Sequence, residues 1–193
     1  MADKIDVPNV MTPKFRVSFP NVFRPGKPVD PTKAGKYSVT MLFDKDANLE
    51  PLKKAMVDFM TKKFGGNQAS WPKLSRNPFR DQGEKSFEGY VAGAKFINAT
   101  SNTKPGLVDA QNNDIINEAD FYPGCYARAT VRPFWYDTAG NKGVAFGLQN
   151  IQKLADGEPL GGRVSASKEF EPVAPANGGG SADTAKTAAD LFG

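Results

Sequence analysis

Aromatic rings alternate with arginines along residues 123–136, and this is the strongest chemical signal in the chain. Side chains of a β-strand alternate between its two faces, so every second residue lies on one face. Unpaired bases stack on aromatic rings, at roughly 1–3 kcal/mol per base, and guanidinium groups pair with phosphates. We therefore predict a contact surface for single-stranded nucleic acid, formed by Tyr126, Arg128, Thr130, Arg132, Phe134 and Tyr136.

The opposite face of this segment is small and apolar, as the interior of a barrel requires. It carries Cys125, Ala127, Ala129, Val131, Pro133 and Trp135. An alternative is that the first face is merely solvated, with aromatics present because they favour strands. A bulge at Pro133 would shift the register and exchange Phe134 with Trp135.

Further candidate contacts flank this segment. A strand predicted over 87–99 adds Tyr90, Lys95 and Phe96, each either a DNA contact or part of the core. The preceding loop, residues 67–86, contains Trp71, Arg76 and Arg80, and Trp71 is either a stacking platform or a hydrophobic plug. Lys142, at the tip of a hairpin predicted over 137–143, is either a phosphate contact or only a solubilising lysine.

Catalysis has little support in the residue types. The chain has no histidine and one cysteine, which removes His-based acid–base chemistry and most zinc sites. It also has no phosphate-binding loop motif, so we predict a protein that is not an enzyme and has no cofactor or metal. The alternative is a Mg²⁺-dependent nuclease built from the loop carboxylates, which are Asp81, Glu84, Glu88, Asp109, Asp114, Glu118 and Asp120.

The charge distribution favours an anionic partner. The 193 residues carry a net charge of +4, but residues 165–193 contain two lysines and four acids, so the remainder is more basic. No apolar run is long enough to span a membrane, and the N-terminus does not resemble a signal peptide. We expect a protein that works in a reducing cytoplasm.

Periodicity predicts five strands and one helix. Alternating residues indicate strands over 14–23, 36–44, 87–99, 123–136 and 144–154, and a three-to-four spacing indicates an amphipathic helix over 48–64. In the first strand, Phe15, Val17 and Phe19 are expected on one face. This pattern predicts a mainly β fold, a five-stranded Greek-key barrel of the oligonucleotide-binding (OB) type with one main α-helix and long loops over 67–86 and 100–121.

The predicted domain boundaries follow from composition. Residues 1–13 form a loose N-terminal arm, residues 14–164 the OB-fold domain, and residues 165–193 a disordered, mildly acidic C-terminal tail. The tail ends in Asp190, Leu191 and Phe192, an acid and an apolar pair that suit docking in a partner's pocket. The alternative is a terminus with no binding role.

Several motifs also occur together in the order found in a known family. They include 77–85 (NPFRDQGEK), 96–99 (FINA), 105–109 (PGLVD), 122–128 (YPGCYAR) and 147–153 (GLQNIQK). Over about residues 10–172 the chain resembles the tailed-phage single-stranded DNA-binding family, long filed as a domain of unknown function.

The resemblance implies an OB fold and protection of exposed strands in phage DNA replication, recombination and repair, in the cytoplasm of the infected bacterial host. The implied partner is single-stranded DNA, with weaker duplex binding. Two further kinds of partner are considered: replication proteins that bind the tail, and a second copy of this chain. The alternatives are a recombination mediator that anneals strands and a virion or assembly protein.

Overall fold

The computed structural model describes residues 5–28 and 30–161, which contain eight strands and one α-helix. The predicted class, mainly β with one main helix, is confirmed. In chain order the elements are β1 (Val10–Met11), β2 (Phe15–Asn21), β3 (Tyr37–Leu42), α1 (Glu50–Phe64), β4 (Arg80–Asp81), β5 (Lys95–Ser101), β6 (Gly106–Val108), β7 (Tyr126–Thr138) and β8 (Asn141–Ala155).

Five of these strands close on themselves in a ring of backbone pairings. The order around the ring is β2, β3, β5, β8 and β7, and β7 pairs back with β2. All neighbours are antiparallel except β5 and β8, which run parallel. The short strands lie outside the ring and each pairs with one ring strand: β1 with β7, β4 with β5, and β6 with β8.

The interior of the ring is packed with side chains from alternate positions of its strands. Along β7, Ala127, Ala129 and Val131 are almost fully buried, as the predicted alternation requires. Their small size leaves room for the larger Phe15, Met41 and Phe146 from the other strands. Burial of this apolar set is the main stabilising contribution to the fold.

Helix α1 ends at the predicted residue, Phe64, but begins at Glu50, two residues after the predicted start at 48. The side chain of Asn48 accepts a hydrogen bond from the backbone N–H of Glu50, and Gly65 is the C-terminal cap. Its buried residues Leu52, Phe59 and Met60 face inward. At its last turn, Phe64 packs edge to face against Trp135 of β7, with the ring centroids 5.0 Å apart, while Leu52 packs into the core of the ring.

The predicted loose arm is wrong for the part of it that the structure describes, residues 5–13. Strand β1 pairs with β7, Val10 opposite Val131. Val7 is only 3% exposed, and the hydroxyl of Thr12 accepts a hydrogen bond from the backbone N–H of Ala129. The alternation of so short a strand is too brief to be recognised in sequence, because two residues define no period.

Two further expectations are corrected on the outer side of the ring. Phe19 does not share the inner face with Phe15 and Val17, because β2 is irregular between Ser18 and Asn21 and Phe19 has a left-handed φ of 44°. The predicted strand over 87–99 begins only at Lys95, and residues 85–94 form a loop. Both differences bring aromatic rings to the surface.

The C-terminal tail, with Asp190, Leu191 and Phe192, lies outside the described residues. None of the helices in the described part of the chain is long and apolar enough to cross a membrane.

Candidate nucleic-acid interface

The predicted face of β7 points away from the core. Arg128 and Phe134 are exposed, and Tyr126, Arg132 and Tyr136 are partly exposed. Pairing with β8 continues without a break across Pro133, so a proline bulge does not exchange Phe134 with Trp135. The nearby register shift instead gives β8 an extra residue, Gln149, opposite the step from Thr130 to Val131.

The two arginines of β7 are oriented by neutral side chains. The Nε of Arg128 donates to Oε1 of Gln152 at 2.8 Å, and the Nε of Arg132 donates to Oδ1 of Asn9 at 3.0 Å. Within residues 5–28 and 30–161, neither arginine forms an ion pair, and only its Nε is hydrogen-bonded. Both guanidinium groups therefore keep their terminal N–H groups for an anion.

A second aromatic surface lies on the outer face of β2, β3 and β5. The sequence predicted two of its rings, Tyr90 and Phe96, but not Phe19 or Phe87. Four rings follow one another edge to face, Phe19 to Phe87, Phe87 to Tyr90 and Tyr90 to Phe96, with centroids 5.2, 5.4 and 6.0 Å apart. We call these four residues the aromatic row. Phe19 is 53% exposed and Phe87 48% exposed, so the row presents open apolar rings to solvent.

The inner end of the row is closed. Phe96, a predicted DNA contact, is only 2% exposed, because Tyr90 packs against it and the guanidinium carbon of Arg80 lies 4.9 Å from its ring centroid. The burial of Phe96 matches the core alternative, since a covered ring cannot stack on a base. The hydroxyl groups of Tyr90 and Ser18 are 3.1 Å apart, and partial burial raises the pKa of Tyr90 above its ordinary value.

Polar side chains and lysines border the aromatic row. Thr40 of β3 donates a hydrogen bond to Oδ1 of Asn98 on β5, at 2.8 Å, and Asn98 is exposed. Beyond them, Ser38 and Thr100 line a depression of about 580 Å³, whose charged lining residues are Lys27, Asp30, Lys33 and Lys36. The outer face of the ring thus combines open rings, hydrogen-bonding groups and a largely basic margin.

The remaining sequence candidates are arranged differently. Trp71 packs with α1 and donates from Nε1 to the carbonyl of Gly65 at 2.8 Å, which matches the hydrophobic-plug alternative. Arg80 and Lys95 form ion pairs, with Glu84 at 2.6 Å and with Asp81 at 3.2 Å. Lys142 pairs with Asp137 at 3.4 Å, and Arg76 is exposed.

The loop carboxylates hold protein groups. The Arg80 guanidinium lowers the pKa of Glu84, and hydrogen bonds from Asn113 lower the pKa of Asp109. Glu118 pairs with Arg24 at 2.9 Å. Among the described residues, no group of three or more acids, cysteines or histidines is arranged to hold a metal ion.

Comparison with known proteins identifies the family. Residues 8–180 match the family model described as Enterobacter phage Enc34, ssDNA-binding protein. The chain belongs to the Enc34 phage single-stranded DNA-binding protein family. The predicted family resemblance is confirmed by this match, which covers most of the chain.

The Enc34 family assignment agrees with a sequence relative and with solved folds. A protein named putative protein p50, from Acyrthosiphon pisum secondary endosymbiont phage 1, is 30% identical over 171 residues, 83% of this chain and 91% of the relative. The bacteriophage Enc34 single-stranded DNA-binding protein in complex with ssDNA superposes with a TM-score of 0.64 at 21% identity, covering 79% of this chain and 89% of that one.

Another Enc34-like fold comes from a different phage. The gp2.5 single-stranded DNA-binding protein encoded by bacteriophage T7 matches with a TM-score of 0.56 at 13% identity, covering 90% of this chain and all of that one. At identities this low, both structural matches establish the shared fold of this Enc34-family chain.

Proposed function

We propose that this protein binds single-stranded DNA without catalysis and without sequence preference, through an OB-fold barrel. The family membership supports the ligand. The observation that carries the assignment is the pair of open rings, Phe19 and Phe87, on the outer face of β2, β3 and β5. In OB folds, the face around the second and third barrel strands binds oligonucleotides, and β3 and β5 have those positions here.

The closed order of the five strands supports the barrel assignment. Strands β2, β3 and β5 are consecutive neighbours. The last hairpin closes the ring, because β8 pairs with β5 and β7 pairs with β2. A small Greek-key barrel of five strands is the OB architecture. In chain order the helix lies between the second and third barrel strands, and it contacts β1 and β7.

Stacking supplies the preference for single strands. Each base has a π-face, so Phe19, Phe87 and the partly exposed Tyr90 can accept bases of any identity. Duplex bases are already stacked on one another, and binding them to these rings would first require unstacking. We therefore expect weaker duplex binding, through the basic groups alone.

The cations supply the phosphate contacts. Lys27 and Lys36 lie beside the polar end of the row, and neither forms an ion pair within the described residues. On the other side, Arg16 of β2 is paired with Tyr126 at the start of β7, so the outer face of β2 continues directly into the predicted β7 face. We propose one track, with stacking on β2, β3 and β5 and phosphate pairing by Arg128 and Arg132 of β7.

The biological role follows from this binding. A protein that covers unpaired bases protects strands exposed in phage replication, recombination and repair, and we propose that it does so in the cytoplasm of the infected bacterial host. Annealing of complementary strands is the second candidate, since a protein that holds bases loosely by stacking can release them to a complement.

A comparison of ligands tests the proposal. Fluorescence anisotropy with labelled single-stranded DNA, duplex of the same sequence and single-stranded RNA, each at two salt concentrations with Mg²⁺ present, should give the tightest binding for single strands of any sequence. The labelled strand should remain intact on a denaturing gel. Equal affinity for duplex, or cleavage of the strand, would overturn the proposal.

A further inference from the structure

The segment 80–84, within the motif 77–85, takes no part in the proposed stacking and phosphate contacts. It is nevertheless tightly tied to the loop that carries Phe87 and Tyr90. Strand β4 pairs with the start of β5, Arg80 opposite Phe96. A single helical turn follows at 82–84, where Asp81 and Glu84 bond to each other's backbone N–H in a capping box. This turn leads directly into the loop 85–94.

Gln82 is the buried centre of the arrangement, with 2% of its surface exposed. Its Nε2 donates to the carbonyl of Phe43 at 2.8 Å and to the carbonyl of Lys95 at 2.9 Å. Its Oε1 accepts from the backbone N–H of Val91 at 3.0 Å. One amide therefore connects the residue after β3, the start of β5 and the far side of the loop, and both of its N–H groups are used.

Asp81 closes the same loop at its base. Its Oδ1 accepts from the backbone N–H of Gly83 at 2.8 Å and from that of Gly93 at 3.0 Å, and its Oδ2 lies 3.2 Å from Nζ of Lys95. Gly93 has a left-handed φ of 85°, so the chain turns sharply at the point where the carboxylate holds it. Together, Asp81 and Gln82 fix both ends of residues 83–93.

The held loop contains two members of the aromatic row. Besides Asp81 and Gln82, it is held by Tyr90, which packs on Phe96, and by Glu88, whose Oε2 accepts from the backbone N–H of Gly161 at 3.1 Å. Ser86, Phe87 and Glu88 are exposed, and the turn from Phe87 to Tyr90 is closed by one long backbone hydrogen bond of 3.2 Å. Without the contacts that Asp81 and Gln82 make at its base, the exposed part of the loop, residues 86–88, would sample more conformations. Each of these would place the ring of Phe87 differently.

We propose that Gln82 and Asp81 are positioning residues, which hold the 85–94 loop so that Phe87 and Tyr90 stack on bases without reorganisation. The inference rests on the proposed single-stranded DNA binding. Its physical basis is preorganisation: a loop already ordered in its binding geometry loses less conformational entropy when the ligand arrives. Neither residue needs to touch DNA.

A double-mutant cycle tests the coupling. In the otherwise unchanged protein, Phe87→Ala should weaken binding of an oligothymidine about tenfold, as expected for one lost stacking contact. In a Gln82→Ala background, the same change should weaken it at most about twofold, because the ring is already misplaced. Gln111→Ala, at an exposed glutamine of another loop, is the matched control and should leave the effect of Phe87→Ala at about tenfold.

A second variant and a DNA-free measurement protect the test against simple unfolding. Asp81→Ala removes the partly exposed anchor and should give the same loss of coupling. Hydrogen exchange of residues 85–93 in the free protein should become faster in both variants, while that of β7 stays unchanged. Additive effects of the Gln82 and Phe87 changes, or unchanged loop exchange, would overturn the inference. A different result would refute the proposed function on which the inference depends: the loop exchanges faster in both variants, but the wild-type protein does not bind single strands.

Discussion

The rings of Phe19 and Phe87 meet edge to face, 5.2 Å between centroids and 69° between planes, although one belongs to a strand and the other to a distant loop. Each ring covers part of one side of its partner, and about half of each residue remains open to solvent. Exposed phenylalanines in contact are uncommon unless the apolar patch has a ligand. The contact therefore marks the centre of the proposed interface.

The first prediction concerns these two rings. Phe19→Ala and Phe87→Ala should each weaken single-stranded DNA binding by roughly 1–3 kcal/mol, about five- to 150-fold in Kd, because a stacked base loses its partner. Val57→Ala, at an exposed apolar residue of α1, should leave Kd unchanged. Anisotropy titrations provide the measurement, and equal effects of all three changes would remove the aromatic row from the interface.

The second prediction separates the β7 face from the aromatic row. Arg128→Ala combined with Arg132→Ala should reduce the magnitude of the slope of log K against log salt by about 1.4, since each phosphate contact on a single strand contributes about 0.7. The loss should be the same for all sequences. A slope equal to that of the wild type would show that DNA does not contact β7 and that Arg128 and Arg132 lie on a face exposed only to solvent.

The third prediction concerns acid stability. Hydrogen bonds from Gly93 and Gly83, together with Lys95, hold the pKa of the Asp81 carboxyl below its ordinary value of 3.8. Folding therefore favours the ionised form, and this stabilisation is present above the ordinary pKa and lost as the pH falls through the lowered one. The free energy of unfolding should decrease as the pH falls from the ordinary pKa through the lowered one, and it should decrease less in Asp81→Asn. Parallel pH curves for the two proteins would contradict this.

The fourth prediction concerns the single cysteine. Cys125 is fully buried, and burial raises the pKa of its thiol, so the reactive thiolate is both rare and inaccessible. An alkylating reagent should label the native protein at least about a hundredfold more slowly than the denatured protein, because labelling requires the core to open. Rapid native labelling would mean that the ring opens near β7 far more often than its packing indicates.

The fifth prediction concerns the close approach between Gly124 and the chain after β8. Gly124 has a φ of 112°, and an added Cβ would collide with the carbonyl oxygen of Glu158. Gly124→Ala should destabilise the fold by about 1–3 kcal/mol or more, through backbone strain and displacement of that segment. Gly66→Ala is the control, because an added Cβ there meets open space; urea denaturation curves compare the two variants.

The regular elements could be predicted because their periods are long and consistent. Six successive alternations along β7 defined its inner and outer faces, and the pairing with β8 preserves them across Pro133. Helix α1 was predicted from its three-to-four spacing. In both cases local side-chain pattern and tertiary burial agree, so the sequence alone is sufficient.

The centre of the interface could not be predicted, because it depends on breaks in the pattern. Alternation assigns Phe19 to the core, and only the irregularity beside Pro20 turns it outward. Phe87 was interpreted as the first residue of a strand, whereas the glycines at 89 and 93 adopt left-handed conformations and make a loop. The Phe–Pro pair and the two glycines were the available signals, although neither specifies where a ring points.

The pairing of β1 with β7, and of β7 with β2, has a consequence for biosynthesis. The partner of β1 and one of the two ring neighbours of β2 come from the last third of the body. When the early strands leave the ribosome, β1 therefore has no partner, and β2 can pair only with β3. The ring cannot close until residues 126–155 emerge, and closure then joins segments that are distant in sequence. Until then, β1 and one edge of β2 remain unpaired and open to aggregation.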